Sequence, residues 1–320
     1  MCVKDINDFQ IDEVFRIEKQ LAKRMIALMA VLNEDIQNID FNVSTQIAAY
    51  MQEGLLGDFA TATSGIGYFY DNIKEYDKAV QWYKLATELN VAEGQFCLAN
   101  YYYEGLGVSE DIEKAFQLYE RAALQGHADA ANNLADMYFN GEYVKENMDE
   151  AFKWFTIASN AGVKEAQFTL GIMYEQGLSV KENMGQALML YKTSAENGYT
   201  EAQYRLGNMY DQGIGVKENK ELAFQWYKKA AEEGNVDAEY NVGYMFQNGI
   251  GTTVDYDLAL IWYKCAAMQG DASAKVRIGE MYEFAMGIPM DINCAIVWYE
   301  RAIGAGDELA KKHLERLGNY

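Results

Sequence analysis

Six stretches of this chain repeat one pattern at a spacing of 36 residues, without slippage. An aromatic residue closes the first half of each stretch, at Tyr102, Tyr138, Tyr174, Tyr210, Phe246 and Tyr282. A glycine closes the second half, at Gly126, Gly162, Gly198, Gly234, Gly270 and Gly306. A fixed period of this length means stacked units, each burying its apolar face only against its neighbours. Such an array has no single core to saturate, so 320 residues need not divide into separate globular domains. The chain holds one proline, Pro289, which leaves long runs of helix permitted almost everywhere.

The stretch from Val163 to Gly198 shows how one unit is built. Ala166, Leu170, Gly171, Met173 and Tyr174 fall at spacings of three and four, on one helical face. A glycine-led loop follows, and Asn183 stands where an N-cap accepts the first free N–H of a second helix. That helix carries Ala187, Leu190, Tyr191 and Ser194, and Gly198 is placed to end it at positive φ. The unit is a helical hairpin. In the other copies the alanine recurs at Ala115, Ala151, Ala223, Ala259 and Ala295. A Trp–Tyr-like pair recurs from Leu118–Tyr119 and Trp154–Phe155 to Trp298–Tyr299. Small residues beside large rings are what close helix packing needs, so this aromatic stripe reads as core rather than as a cofactor site. Val-Lys-Glu-Asn recurs at 144–147, 180–183 and 216–219, and its place in the loop gives it a capping role.

Ala202, Leu206–Gly207, Met209–Tyr210, Gly213, Gly215–Val216, Ala223, Trp226–Tyr227, Ala230–Ala231 and Gly234 together resemble the Sel1-like repeat, a relative of the tetratricopeptide repeat. The resemblance covers six units within residues 91–306 and implies an all-α, right-handed α-solenoid of stacked helical hairpins. In the last loop Ala285 replaces the usual glycine and Pro289 appears, so that turn is expected to differ. Residues 61–90 resemble a shorter tetratricopeptide-like unit, on Gly67, Tyr70, Ala79, Tyr83 and Ala86, with a tight turn near Asp71–Tyr76. Residues 1–60 do not repeat; Val14, Ile17, Leu21, Met25, Leu28 and Leu32 mark an amphipathic helix, and residues 43–51 suggest another. This segment is expected to cap the stack, with a docking role as the alternative. Residues 307–320 are expected to form a C-terminal capping helix carrying Lys311, Lys312 and Arg316.

With 27 basic and 48 acidic residues the net charge is −21, and the acid is spread along the chain. Such a surface repels nucleic acid and anionic membranes and attracts basic partners, although acidity also serves solubility alone. The cysteines form no CxxC pair and no ladder at the repeat spacing. They read as small buried hydrophobes in a reducing compartment, and a cytoplasmic location is expected. The apolar run Met25–Leu32 is short and followed by Asn33, Glu34 and Asp35, which suits a core helix better than a targeting signal. No stretch reaches membrane-spanning length. His127 and His313 have no companions at metal-ligand spacing, and no phosphate-loop, dinucleotide or serine-elbow pattern occurs, so neither metal, cofactor nor catalysis is expected.

Function is therefore expected from the face that the hairpins leave open. On each first helix four positions point away from the leucine–tyrosine core, toward an expected concave groove. One column holds Glu93, Asp129, Glu165, Glu201 and Asp237. A second holds Phe96, Asn132, Phe168, Tyr204 and Tyr240. A third includes Asn100, Asp136, Asn208, Tyr244 and Glu280, and a fourth Tyr103, Phe139, Glu175, Asp211 and Glu283. Rings beside acids suit a protein or peptide partner with a basic surface. Both features also have a structural alternative: acids in a first turn complement the helix dipole, and second-column rings serve packing. Tyr103, Phe139 and Tyr244 are the better binding positions. Resembling families also clamp C-terminal carboxylates with paired Lys and Arg, but only Arg205 and Arg277 approach this face. An adaptor is the leading expectation; an immunity-type inhibitor of a basic toxin is the alternative.

Overall fold

The computed structural model describes residues 59–318. The helices expected over residues 14–32 and 43–51 lie outside them. The described residues form fifteen α-helices and no strand. They divide into two compact units, one ending at Val163 and one beginning at Lys164.

The first unit contains α1 (Phe59–Asn72), α2 (Tyr76–Glu88), α3 (Ala92–Glu104), α4 (Ile112–Leu124), α5 (Ala128–Asn140) and α6 (Met148–Asn160). Each helix packs on the one before it, so the hairpins stack in chain order. The turn between α1 and α2 is tight, with Lys74 at φ 62°, as the tetratricopeptide-like pattern over Asp71–Tyr76 implies. The second unit contains α7 (Lys164–Gln176), α8 (Met184–Glu196), α9 (Thr200–Gln212), α10 (Lys220–Glu232), α11 (Val236–Asn248), α12 (Tyr256–Met268), α13 (Ala272–Glu283), α14 (Ile292–Gly304) and α15 (Ala310–Arg316). Here too every helix after α7 packs on its predecessor, and the fold is an all-α solenoid of hairpins.

The helix boundaries follow from local chemistry. Whereas α2 begins after Glu75 with no side-chain cap, six of the seven hairpins have Asn or Asp as N-cap of the second helix, at Asp111, Asn147, Asn183, Asn219, Asp255 and Asp291. Each side chain accepts a hydrogen bond from a first-turn N–H, as Asn219 Oδ1 does from Leu222 at 2.9 Å. Such caps contribute about 0.5–2 kcal/mol each. At the far end of α8, Gly198 takes φ 80°, and Tyr199 N–H closes back on the Ser194 carbonyl at 3.1 Å.

Packing is set by one ring per hairpin, a tyrosine in all but the α5–α6 hairpin, where it is Phe155. Tyr83, Tyr119, Tyr191, Tyr227, Tyr263 and Tyr299 are all at most 3% exposed. The ring lies against the backbone of the first helix: a Cβ on Gly207 would sit 2.4 Å from Tyr227 Cδ1. The alanines Ala115, Ala151, Ala187, Ala223, Ala259 and Ala295 are wholly buried where the helices approach. The Trp of each pair sits further out, and Lys229 lies 4.1 Å over Trp226.

Two expectations about the end of the array meet the structure here. In the last loop Ala285 adopts φ 56°, the conformation glycine takes at the corresponding Gly249, and α13 stops one residue early. Alanine in the left-handed region carries strain of roughly 1 kcal/mol. Ala285→Gly is expected to raise stability by about 0.5–1 kcal/mol in chemical denaturation; an unchanged or lowered value would contradict the strain. Beyond it, α15 covers the last hairpin: Ala310 and Leu314 are buried beside Ala295, Tyr299 and Ala302. Arg316 donates to both oxygens of buried Glu283 at 2.6 Å, which fixes α15 to α13.

Candidate functional site

The tyrosine that holds each hairpin also assigns several polar residues of the first helix. Its hydroxyl donates to a residue of either the third or the fourth column. Tyr119 bonds Asn100 Oδ1 at 2.6 Å, Tyr227 bonds Asn208 Oδ1 at 2.7 Å, and Tyr191 bonds Glu175 Oε2 at 2.6 Å. Tyr263 and Tyr299 do the same with Gln247 and Glu283, both at 2.6 Å. Second-column rings pack on the same tyrosines, as Phe168 does on Tyr191 with centroids 5.4 Å apart and Tyr204 on Tyr227 at 5.7 Å. They belong to the packing.

In the second unit Glu175, Asp211, Glu280 and Glu283 of the first helices have a cation beside them. Arg205 pairs with Glu175, and its guanidinium lies 5.9 Å over the Tyr191 ring. Lys220 Nζ sits 3.0 Å from Asp211. Arg277 donates to Glu280 at 2.8 Å and lies 5.6 Å over Tyr244, whose ring is 38% exposed. Glu165 and Glu201 stand in the first turns of α7 and α9; Glu165 is half-buried and Glu201 exposed.

The first unit is different. Glu93 is engaged: it accepts from Tyr68, stands 3.1 Å from His127 Nε2 and 3.7 Å from the Cys97 thiol. The His127 hydrogen bond, opposed by burial, holds its pKa down at about 2. Asp129 is exposed in the first turn of α5. Between α3, α4 and α5 lies a cleft of about 220 Å³ lined by Asn100, Tyr103, Glu104, Asn133, Asp136 and Glu142. Tyr103 Oη donates to Glu142 Oε2 at 2.9 Å. Asp136 accepts from Asn132 Nδ2 at 3.2 Å, and no cation of the described residues pairs with Asp136, Glu142 or Glu104. Burial, with Glu142 adding repulsion, raises the Asp136 carboxyl to about 6, against the Asn132 hydrogen bond. Asn132 itself is buried.

The cleft coincides with the hairpin that departs most from its neighbours. Its second-helix ring is Phe155, so no hydroxyl reaches Asp136, although Asn100 and Asn208 receive one at the same register. Phe139 is half-buried and packs edge-on against Phe155 at 6.1 Å. Glu142 stands where the other loops carry Leu106, Leu178, Ile214, Ile250 and Met286. In the second unit Ile214, Ile250 and Met286 pack on the core.

Comparison with known proteins identifies the repeat. The Sel1 repeat pattern matches seven consecutive stretches, 62–91, 92–127, 128–163, 164–199, 200–235, 236–271 and 272–307. The chain belongs to the Sel1 repeat family. Its first Sel1 repeat covers the stretch that resembles a shorter tetratricopeptide-like unit. Among solved structures, one similar protein is a protective antigen present in uropathogenic Escherichia coli strains and displaying an SLR fold. The two share 30% identity with a TM-score of 0.77, over 85% of this chain and 59% of that one. The chain thus spans less than two thirds of that antigen's length. A Sel1 repeat protein from Oxalobacter formigenes shares 31% identity with a TM-score of 0.64, over 75% of this chain and 96% of that one. No curated protein matches the chain.

Of the residues singled out from the sequence, the structure brings Asn100, Tyr103 and Asp136 together at the cleft, with Asn132 and Phe139 adjoining. It places Asn208 and Asp211 in contacts of their own Sel1 repeats, and Glu175 in contacts with its own repeat and with Arg205 of the next. Glu142 was missed because the columns followed the first helices alone, and Glu104 because none of the four columns runs through the last residue of α3. Glu142 had a legible signal, a charge at a loop position that is apolar in the other repeats. Among the described residues no group of His, Cys, Asp and Glu could hold a metal ion. None of the described helices is long and apolar enough to cross a membrane.

Proposed function

We propose that the chain is a non-catalytic scaffold that holds a protein or peptide partner with a basic surface against its first-helix faces, centred on the Tyr103–Asp136–Glu142 cleft. Sel1 repeat proteins are in general protein-interaction scaffolds, which supports the coarse reading. The observation that carries the finer one is the charge left uncompensated at the cleft. A carboxylate raised to about 6 by burial gains more from an incoming cation than an exposed one does. A net charge of −21 adds long-range attraction for a basic protein and repulsion for phosphate backbones.

The test is quantitative binding of a captured partner to the wild type and to a variant with Asp129→Asn, Asp136→Asn, Glu165→Gln, Glu201→Gln and Asp211→Asn. The variant is expected to bind at least about tenfold more weakly at low salt, with helicity unchanged by circular dichroism. Wild-type affinity is expected to fall steeply as salt rises. Unchanged affinity in the variant would overturn the reading.

A further inference from the structure

Asn133 occupies the register that Arg205 holds two periods later and Arg277 four periods later. Those two arginines show what the register accommodates. Arg205 reaches Glu175 and covers the Tyr191 ring; Arg277 reaches Glu280, donates to Tyr240 Oη at 3.2 Å and covers the Tyr244 ring. Of the five positions that receive them, four are occupied in the first unit by Tyr103 for Glu175, Tyr119 for Tyr191, Asp136 for Glu280 and Asn100 for Tyr244, while Phe96 replaces Tyr240 away from the cleft lining. All four line the cleft, and so does Asn133. The space that the second unit fills with its own guanidinium groups is here a cavity of about 220 Å³.

From this correspondence we infer that the cleft is the seat of a single arginine side chain supplied by the partner protein, standing where Arg205 and Arg277 stand in their own repeats. The inference rests on the scaffold reading and names the group that the scaffold recognises. The acceptors fit a guanidinium. Asp136 lacks the hydroxyl that Tyr119 and Tyr227 give to Asn100 and Asn208, because Phe155 has none to give. Asn132, 9% exposed and adjoining the cleft rather than lining it, donates to Asp136 and Asn133, and its Oδ1 has no donor. Glu142 and Glu104 add negative charge at the mouth, and the Tyr103 ring offers a face for stacking. A planar cation with several N–H donors satisfies divergent acceptors together, which a lysine ammonium does less well. At this register Arg205 and Arg277 are the two cations, the other copies carrying Cys97, Thr169 and Asn241.

Asn133→Arg tests this directly, because it fills the seat from within the chain, with Asp136 one turn away as Glu280 is from Arg277. The probes are the blocked tripeptide Gly-Arg-Gly and its lysine and citrulline counterparts, titrated into the full chain and followed by NMR. The arginine peptide is expected to perturb the Tyr103 and Asn133 resonances and to bind at least about tenfold more tightly than the citrulline peptide. Asn133→Arg is expected to abolish that binding and raise the thermal midpoint, and Asp136→Asn to weaken it without unfolding. Equal binding of arginine and citrulline peptides, or full binding by Asn133→Arg, would overturn the inference. Tighter binding of the lysine peptide would overturn the choice of guanidinium. If Asn133→Arg leaves partner affinity unchanged while the five-amide variant loses it, the seat is refuted and the scaffold survives. If the five-amide variant keeps the partner, the scaffold reading itself fails.

Discussion

Tyr227→Ala is expected to lower stability by about 3–5 kcal/mol, the largest loss of any substitution considered for this chain. The ring is 3% exposed, lies against Gly207 and packs against Tyr204 at 5.7 Å. Its removal opens a void between two helices, where the ring fills the space left by Gly207. The hydroxyl is a smaller matter. Tyr227→Phe strands Asn208 Oδ1, which is half-buried and regains water, so about 1 kcal/mol is expected. Urea titrations of the two variants separate packing from hydrogen bonding. A Tyr227→Ala loss below about 1 kcal/mol would contradict the central role given to this ring.

The second large effect is expected at Gly251, where two costs coincide. Its φ of 64° is strained for any side chain, and an added Cβ would lie 2.1 Å from the Lys220 carbonyl oxygen. That oxygen belongs to the backbone at the start of α10 and cannot swing aside. Strain of roughly 1 kcal/mol and overpacking of about 1–3 kcal/mol place Gly251→Ala at about 2–4 kcal/mol. Gly198 supplies the control. It shares the positive φ, at 80°, but nothing lies within 4 Å of its would-be Cβ. Gly198→Ala is therefore expected to show the backbone strain alone, about 1 kcal/mol. Equal losses at the two sites would mean that the loop moves away from α10 at little cost.

Much of the fold was legible because each hairpin repeats one local solution. Asn147, Asn183 and Asn219 cap helices at the positions the repeated loop implies, and the glycine at 198 ends its helix at positive φ. The candidate site was less legible, for a geometric reason. A tyrosine hydroxyl can reach either of two first-helix positions three residues apart, and the repeats use both. Helical periodicity therefore does not tell whether Asn100, Glu175 or Asn208 is held inside its own hairpin. Lys220 reaches Asp211 across nine residues, which no column on one helix anticipates. What the sequence does carry is a comparison between copies. Phe155 against the tyrosines, and Glu142 against leucine, isoleucine and methionine, depart in one hairpin, where Asn133 also stands in place of the arginine of two later copies. Local rules broken together at one place mark a site whose residues serve something other than packing.

The account turns on Asp136 being a carboxylate in want of a cation, and its titration tests that most directly. In the free chain its pKa of about 6 lies above the unfolded aspartate value, so the folded state takes up a proton more readily than the unfolded one. The charge at Asp136 therefore weighs against the fold, by an amount that grows as pH rises from about 4 to 6 and is constant above. A bound guanidinium reverses the sign. Carbon-detected NMR titration of the Asp136 carboxyl, free and with partner bound, is predicted to show the pKa falling to the ordinary aspartate range or below. Partner affinity is predicted to rise with pH through the same interval. A carboxyl that titrates near 6 in both states would contradict the assignment of the cleft.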